Sequence, residues 1–170
     1  MSAVSDIALI ALFILIGGTF AAAEMALVTL RESQIRQLAA KGKRGRAIER
    51  LTSDPNRFLS AVQIGVTLSG FLSAAFGGAT LAAGLAPVFK GWGIPASVAD
   101  PLALVVITIV ISYFSIVIGE LSAKRLAMQR AEGFALALAP LVSGIASLAR
   151  PVIWFLGVST DAVVRVFGAS

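Results

Sequence analysis

Residues 7–30 read IALIALFILIGGTFAAAEMALVTL, an apolar stretch with a single charged residue, Glu24. A helix of these 24 residues is about 36 Å long at ~1.5 Å per residue, which exceeds the ~30 Å hydrocarbon core of a bilayer. Ser5 and Asp6 can cap its start. No basic segment precedes the stretch and no clear cleavage site follows, so it predicts a retained membrane span rather than a signal peptide.

The composition also indicates a membrane protein. Of the 170 residues, 58% are hydrophobic and 14% are charged, whereas a soluble domain has about 25% charged residues. The net charge is +5, but the basic residues cluster between apolar runs. This pattern is typical of loops that set the orientation of membrane spans, so no nucleic-acid partner is expected. The chain has no cysteine and no histidine, which leaves only oxygen ligands for a metal and favours hard cations such as Mg²⁺.

An all-α integral membrane fold is predicted, with three transmembrane helices at about 7–30, 58–83 and 101–120. A basic linker, 31–57, separates the first two and should form two short amphipathic helices hinged near Gly42 and Gly45. The glycine-rich second span could break near Gly77 and Gly78, and an outer loop is expected around 90–100. Pro101 should lie in the first turn of the third span.

The basic residues predict the orientation in the inner membrane. Cations concentrate in the linker and after Gly119, whereas the loop between spans two and three holds only Lys90. The positive-inside rule therefore places the N-terminus outside and the C-terminus in the cytoplasm. Residues 133–149 are apolar but short, and a fourth span would carry Arg150 outside, so a re-entrant or interfacial helical hairpin is favoured. Interfacial helices should cover 133–169.

Two intramembrane carboxylates, Glu24 and Glu120, are the first candidates for chemistry, because a charge inside a bilayer normally faces a partner, a cavity or an ion. Rows of small residues accompany them, at Gly65, Ser69, Ser73 and Gly77 in the second span and at Ser112, Ser115 and Gly119 in the third. The rows predict a shared polar cavity and a seam suited to a homodimer. The alternative for the rows is that they are simple packing seams. The alternative for Glu24 is that it pairs with a cytoplasmic arginine or a backbone amide.

Four ordered motifs resemble the transmembrane domain of the CorC/CNNM, or hemolysin-like, family. Residues 20–27 read FAAAEMAL, similar to the family pattern F-S-x-S-E-x-A-L. The others are Asp54-Pro55 followed by Phe58-Leu59, the QIGVTL of residues 63–68, and Gly119-Glu120-Leu121 followed by Lys124. The resemblance covers nearly the whole chain in order and spacing.

This resemblance implies Mg²⁺ export, with Na⁺ as the coupling ion, by dimers that carry a cytoplasmic pair of CBS domains. No CBS domain is expected within this chain. The family site uses two serines, an asparagine and a Gly-Glu pair, of which only Gly119 and Glu120 are retained. Alanine stands at the serine positions and Gly70 at the asparagine position. The implied metal site comprises Glu120, Gly119, Ala21, Ala23, Ser69, Gly70 and Ser73.

Residues with a supporting role in the cavity are predicted to be Glu24, Gln63, Ser112, Ser115 and Lys124. Because family ligands are missing, a polyamine or other organic cation is an alternative substrate. A membrane anchor and dimerisation module without transport is an alternative of another class. The sequence has no hydrolytic or phosphate-binding motif, so the protein is not expected to be an enzyme.

Overall fold

The computed structural model describes residues 3–168, and the defined elements within that range are helical. In chain order these are α1 (Ala3–Thr29), α2 (Glu32–Lys41), α3 (Lys43–Ser53), α4 (Pro55–Gly91), α5 (Ala96–Phe114), a π-helical segment (Ser115–Ser122), α6 (Ala123–Gln129), α7 (Ala131–Leu148) and α8 (Arg150–Val166). Four helical stretches are long and apolar enough to cross a membrane, at Ala3–Thr29, Pro55–Gly91, Ala96–Gln129 and Ala131–Leu148. The chain is therefore an all-helical membrane protein, as predicted.

The chain divides into two compact units. The first unit comprises residues 3–22 and 65–129, and the second comprises residues 23–64 and 130–168. Helices α1 and α4 each contribute to both units.

The first unit is packed through small and branched apolar residues. Ile10 and Ile14 of α1 are buried with Ile111 of α5. Towards the loop that joins α4 to α5, a second cluster is built mainly from alanines, namely Ala82, Ala86 and Phe89 of α4 with Ala99 and Ala103 of α5. Small side chains allow membrane helices to approach closely, and van der Waals packing then holds them together.

The second unit contains the two predicted amphipathic linker helices. Helices α2 and α3 form a hairpin that turns at Gly42, and α3 buries Ala47, Ile48 and Leu51. Helix α7 packs against α3 and has its own buried row, Ala135, Ala139, Val142 and Ala146. The exposed face of α3 carries cations, so its sequence pattern and its packing agree.

Gly45 lies inside α3 instead of acting as a second hinge. A β-carbon there would overlap the Leu38 carbonyl, so glycine is required for the close approach of α2 and α3. Ser5 and Asp6 likewise lie inside α1, within its first turn, rather than before its start.

Several predicted bounds differ from those observed. Helix α4 is continuous through Gly77 and Gly78 and ends at Gly91, because α5 packs against both glycines and compensates their weak helix propensity. The loop between α4 and α5 is correspondingly short, and Lys90 pairs with Asp100 across it at 3.5 Å. Helix α5 starts at Ala96, so Pro101 lies beyond the first turn.

Two further differences concern the C-terminal half. Residues 131–148 form one uninterrupted helix rather than a hairpin, with Pro140 inside it. The third apolar helix changes to π geometry at Ser115, which no sequence pattern had indicated.

The row formed by Gly65, Ser69, Ser73 and Gly77 faces neighbouring helices of the first unit. Gly65 lies against the Phe20 ring and Gly77 against Ile111, and both serines are buried. The predicted homodimer seam on this row is therefore wrong, because the surface is already used within the chain.

Candidate functional site

A small cavity lies in the first unit where α1, α4 and the π-helical segment meet. Its volume is about 10 Å³, close to the minimum needed to hold one water molecule. The lining residues are Phe13, Ile14, Gly17, Val66, Ser69, Gly70, Ser115, Gly119 and Glu120. We refer to this space as the central cavity.

Glycines bring the three backbones together around the central cavity. A β-carbon on Gly17 would lie 3.3 Å from the Ser69 β-carbon, which is tighter than an ordinary van der Waals contact. A β-carbon on Gly18 would lie 3.3 Å from the carbonyl oxygen of Gly119. A β-carbon on Gly119 would in turn lie 3.1 Å from the carbonyl oxygen of Ile14. Larger residues at these positions would force the helices apart.

The π-helical segment contains the two residues of the predicted metal site that match the family motif. Gly119 and Glu120 both lie in the π-helical segment. π-Helices are rare, and those that occur are frequently found at functional sites. Here the irregular backbone coincides with the place where the third apolar helix touches α1.

Three side chains in the lining carry oxygen atoms of the kind that bind cations. Ser69 is buried, whereas Ser115 and Glu120 are half-buried, and Glu120 is the one carboxylate among the lining residues. Residues 3–168 contain no group of three or more aspartates, glutamates, histidines or cysteines that could hold a metal. A metal here would therefore depend on one carboxylate, on hydroxyls and carbonyls, and on water.

Comparison with known proteins identifies the family. The sequence model of the cyclin M (CNNM) transmembrane N-terminal domain matches residues 7–170. The chain belongs to the CNNM transmembrane domain family. The resemblance inferred from the four motifs is therefore confirmed.

Relatives of this CNNM domain include three bacterial UPF0053 proteins. The protein sll0260 of Synechocystis sp. is 41% identical over 156 residues, which is 91% of this chain and 35% of that protein. YugS of Bacillus subtilis is 34% identical over 163 residues, and YhdP of the same organism is 30% identical over 164 residues. The matches cover 38% of YugS and 37% of YhdP, so the CNNM domain spans little more than a third of these relatives.

The structure brings some of the predicted site residues together. Ser69, Gly70, Gly119 and Glu120 of the predicted metal site line the central cavity, and Ser115 joins them from the supporting set. These five residues come from two different helical stretches, and α1 completes the wall with Gly17.

Other predicted residues do not line the central cavity. Ala21 is buried in helix packing, and Ser73 is buried with its hydroxyl donating to the Ser69 carbonyl oxygen at 2.9 Å. Ser112 is exposed, and Lys124 is half-buried away from the lining. Ala23, Glu24 and Gln63 belong to the second unit.

Sequence reasoning missed four lining residues, Phe13, Ile14, Gly17 and Val66. The signal was present in the spacing, because Phe13 precedes Gly17 by four positions and Val66 precedes Ser69 and Gly70 by three and four. Residues at these spacings share a helix face.

Proposed function

We propose that this CNNM domain is the membrane module of a secondary transporter that exports Mg²⁺ in exchange for Na⁺. The observation that carries the proposal is the central cavity, which Glu120, two serines and three glycines line together. Membership of the CNNM family supports the same substrate. The proposed role is binding and translocation, without an enzymatic reaction.

The chemistry of the lining suits a small hard cation. Mg²⁺ prefers six oxygen ligands at about 2.0–2.1 Å. Glu120 would supply the charge, Ser69 and Ser115 would supply neutral oxygens, and backbone carbonyls would complete the shell. Gly17, Gly70 and Gly119 leave the backbone uncovered, so the ion can approach it closely. With a single carboxylate, binding should be weak enough to release the ion.

The cavity size favours a metal ion over the alternative substrate. A space of about 10 Å³ accommodates one water-sized particle, whereas a polyamine needs room for a chain of methylene groups. The polar lining favours transport over the alternative of a simple membrane anchor, because an anchor needs no carboxylate inside the membrane.

A three-span topology with a cytoplasmic C-terminus is part of the proposal. Arg57, at the start of α4, donates a hydrogen bond from Nη2 to the Ser147 hydroxyl at 3.3 Å. The end of α7 therefore lies beside the basic linker, which the positive-inside rule places in the cytoplasm. Because α7 also begins after cytoplasmic cations, this contact supports a helix that does not cross the membrane.

Assembly completes the proposal. A homodimer in the inner membrane is proposed from the family resemblance, with an interface outside the glycine and serine row of α4. The relatives' additional length leaves room for a cytoplasmic CBS-pair domain as a regulatory partner.

A competition experiment on the purified protein tests the proposed substrate. Binding of Mg²⁺ is measured by calorimetry alone and in the presence of Na⁺ or putrescine. Saturable Mg²⁺ binding that Na⁺ weakens supports the exporter. Tight putrescine binding without Mg²⁺ binding would support the polyamine exporter, and no binding of any cation would support the anchor.

A further inference from the structure

A second, larger pocket lies entirely within the second unit, where α3, the start of α4 and the end of α7 meet. Two adjoining spaces of about 220 and 360 Å³ share Arg50, Ser143 and Ser147. Their charged lining residues are Lys43, Arg44, Arg50, Asp54, Arg57 and Arg150. We call this combined space the basic cleft.

The charge of the basic cleft is unbalanced. Five cationic side chains line it and Asp54 is its one carboxylate, so the lining carries a formal charge of +4 (five minus one). Like charges held around one pocket repel each other, and an anion placed among them relieves that repulsion. Arginine is the residue best suited to bind phosphate, because its planar fork donates two parallel hydrogen bonds.

Arg57 shows where a hydrogen-bond acceptor is missing. Its Nη2 donates to Ser147, which fixes the guanidinium at the wall of the cleft. Its Nε–H is buried and finds no acceptor within residues 3–168. Buried donors are nearly always paired, so an acceptor oxygen, from water or from a ligand, belongs beside this Nε–H.

Exposed apolar residues follow the lining residue Ser147 closely along the chain, which restricts the kind of anion. Leu148, the last residue of α7, is 84% exposed, and Trp154 and Phe155 of α8 are 68% and 63% exposed. Aromatic side chains of this kind are enriched at the level of lipid headgroups. A ligand that combines a phosphate group with acyl chains would use both the cations and these apolar side chains.

We propose that the basic cleft binds the phosphate group of an anionic phospholipid. The guanidinium groups of Arg50, Arg57 and Arg150 would bind the phosphate oxygens, and the acyl chains would lie along the exposed apolar residues of α7 and α8. Basic pockets beside membrane helices on the cytoplasmic side bind anionic headgroups in this way. The inference concerns the second unit alone and does not depend on cation transport in the first.

Lipid binding is measured on the full chain in phosphatidylcholine nanodiscs with increasing phosphatidylglycerol, using thermal stability and native mass spectrometry of retained lipid. The wild-type protein should be stabilised by phosphatidylglycerol and should retain it. Arg50→Gln and Arg150→Gln should each weaken the affinity about fivefold, equivalent to ~1 kcal/mol for one cation at an anionic surface.

Arg46→Gln is the matched control, because Arg46 is exposed on α3 one turn before Arg50 and does not line the basic cleft. It should leave the affinity unchanged. If Arg46→Gln and Arg50→Gln lowered the affinity for phosphatidylglycerol equally, the binding would depend on diffuse surface charge. That result would contradict a specific site in the basic cleft. Stabilisation by inorganic phosphate in neutral nanodiscs, without any effect of phosphatidylglycerol, would overturn the lipid as the source of the phosphate.

Discussion

The α-carbon of Gly119 lies 3.4 Å from the position that a β-carbon on Gly18 would occupy, so α1 and the π-helical segment touch backbone to backbone. Gly119 also lines the central cavity, so this contact lies at the cavity wall. Gly18→Leu should therefore lower the free energy of unfolding by about 1–3 kcal/mol, the cost of overpacking, and should open or fill the cavity. Chemical denaturation in detergent measures the change.

Gly84→Leu provides the matched control for Gly18→Leu. Gly84 lies in α4 with nothing within 4 Å of its β-carbon position, so leucine fits there. Because leucine has the better helix propensity, this variant should be neutral or more stable by up to about 1 kcal/mol. Equal destabilisation by both variants would contradict the backbone contact.

The contact between Gly77 and Ile111 can be tested by a double-mutant cycle. A β-carbon on Gly77 would overlap Ile111 Cδ1, the atom that Ile111→Val removes. Gly77→Ala should destabilise the wild-type protein by about 1 kcal/mol but be tolerated in the Ile111→Val background. The interaction free energy between the two substitutions should be roughly 0.5–3 kcal/mol. If their effects on the free energy of unfolding were additive, the clash at Gly77 would not involve Ile111.

The two buried serines of α4 should respond differently. Ser69 lines the central cavity, whereas Ser73 is buried away from the lining with its hydroxyl bonded to its own helix. Ser69→Ala should weaken Mg²⁺ binding about tenfold, the loss of one hydrogen-bonding oxygen at ~1.4 kcal/mol. Ser73→Ala should leave binding unchanged, and isothermal titration of both variants distinguishes them.

Cysteine labelling in intact cells tests the three-span topology. Lys90→Cys should react with an impermeant reagent from outside, whereas Lys43→Cys and Leu148→Cys should react only after permeabilisation. All three positions are exposed on the protein, so access depends on the side of the membrane. Labelling of Leu148→Cys from outside would show that α7 crosses the bilayer.

The sequence predicted those parts of the fold that depend on local pattern. The apolar stretch at α1 and the amphipathic patterns of α2 and α3 determine these helices with little help from the rest of the chain. The continuity of α4 depended on tertiary contacts instead. Leu104 and Ile111 pack against Gly78 and Gly77, and their contacts compensate a weak helical sequence for which a break was one possibility.

Part of the lining of the central cavity was predicted where charge and motif agreed. Glu120 was identified as a costly carboxylate at depth, and it lines the central cavity with Gly119. Ser69 and Ser73 looked equivalent on one row, yet only Ser69 lines the cavity, because its level along α4 is set by the glycine contacts with α1. Ala21 and Ala23 were included from the family motif alone, and neither lines the cavity.

The central claim is that Glu120 binds the transported cation, and Mg²⁺-dependent thermal stabilisation tests it most directly. A ligand at 100 times its dissociation constant stabilises the state that binds it by about 2.7 kcal/mol. The wild-type melting temperature should rise with millimolar Mg²⁺, Glu120→Gln should abolish the rise, and Glu132→Gln, at an exposed glutamate of α7, should preserve it. A wild-type protein indifferent to millimolar Mg²⁺, or a Glu120→Gln variant that responds like the wild type, would contradict the claim.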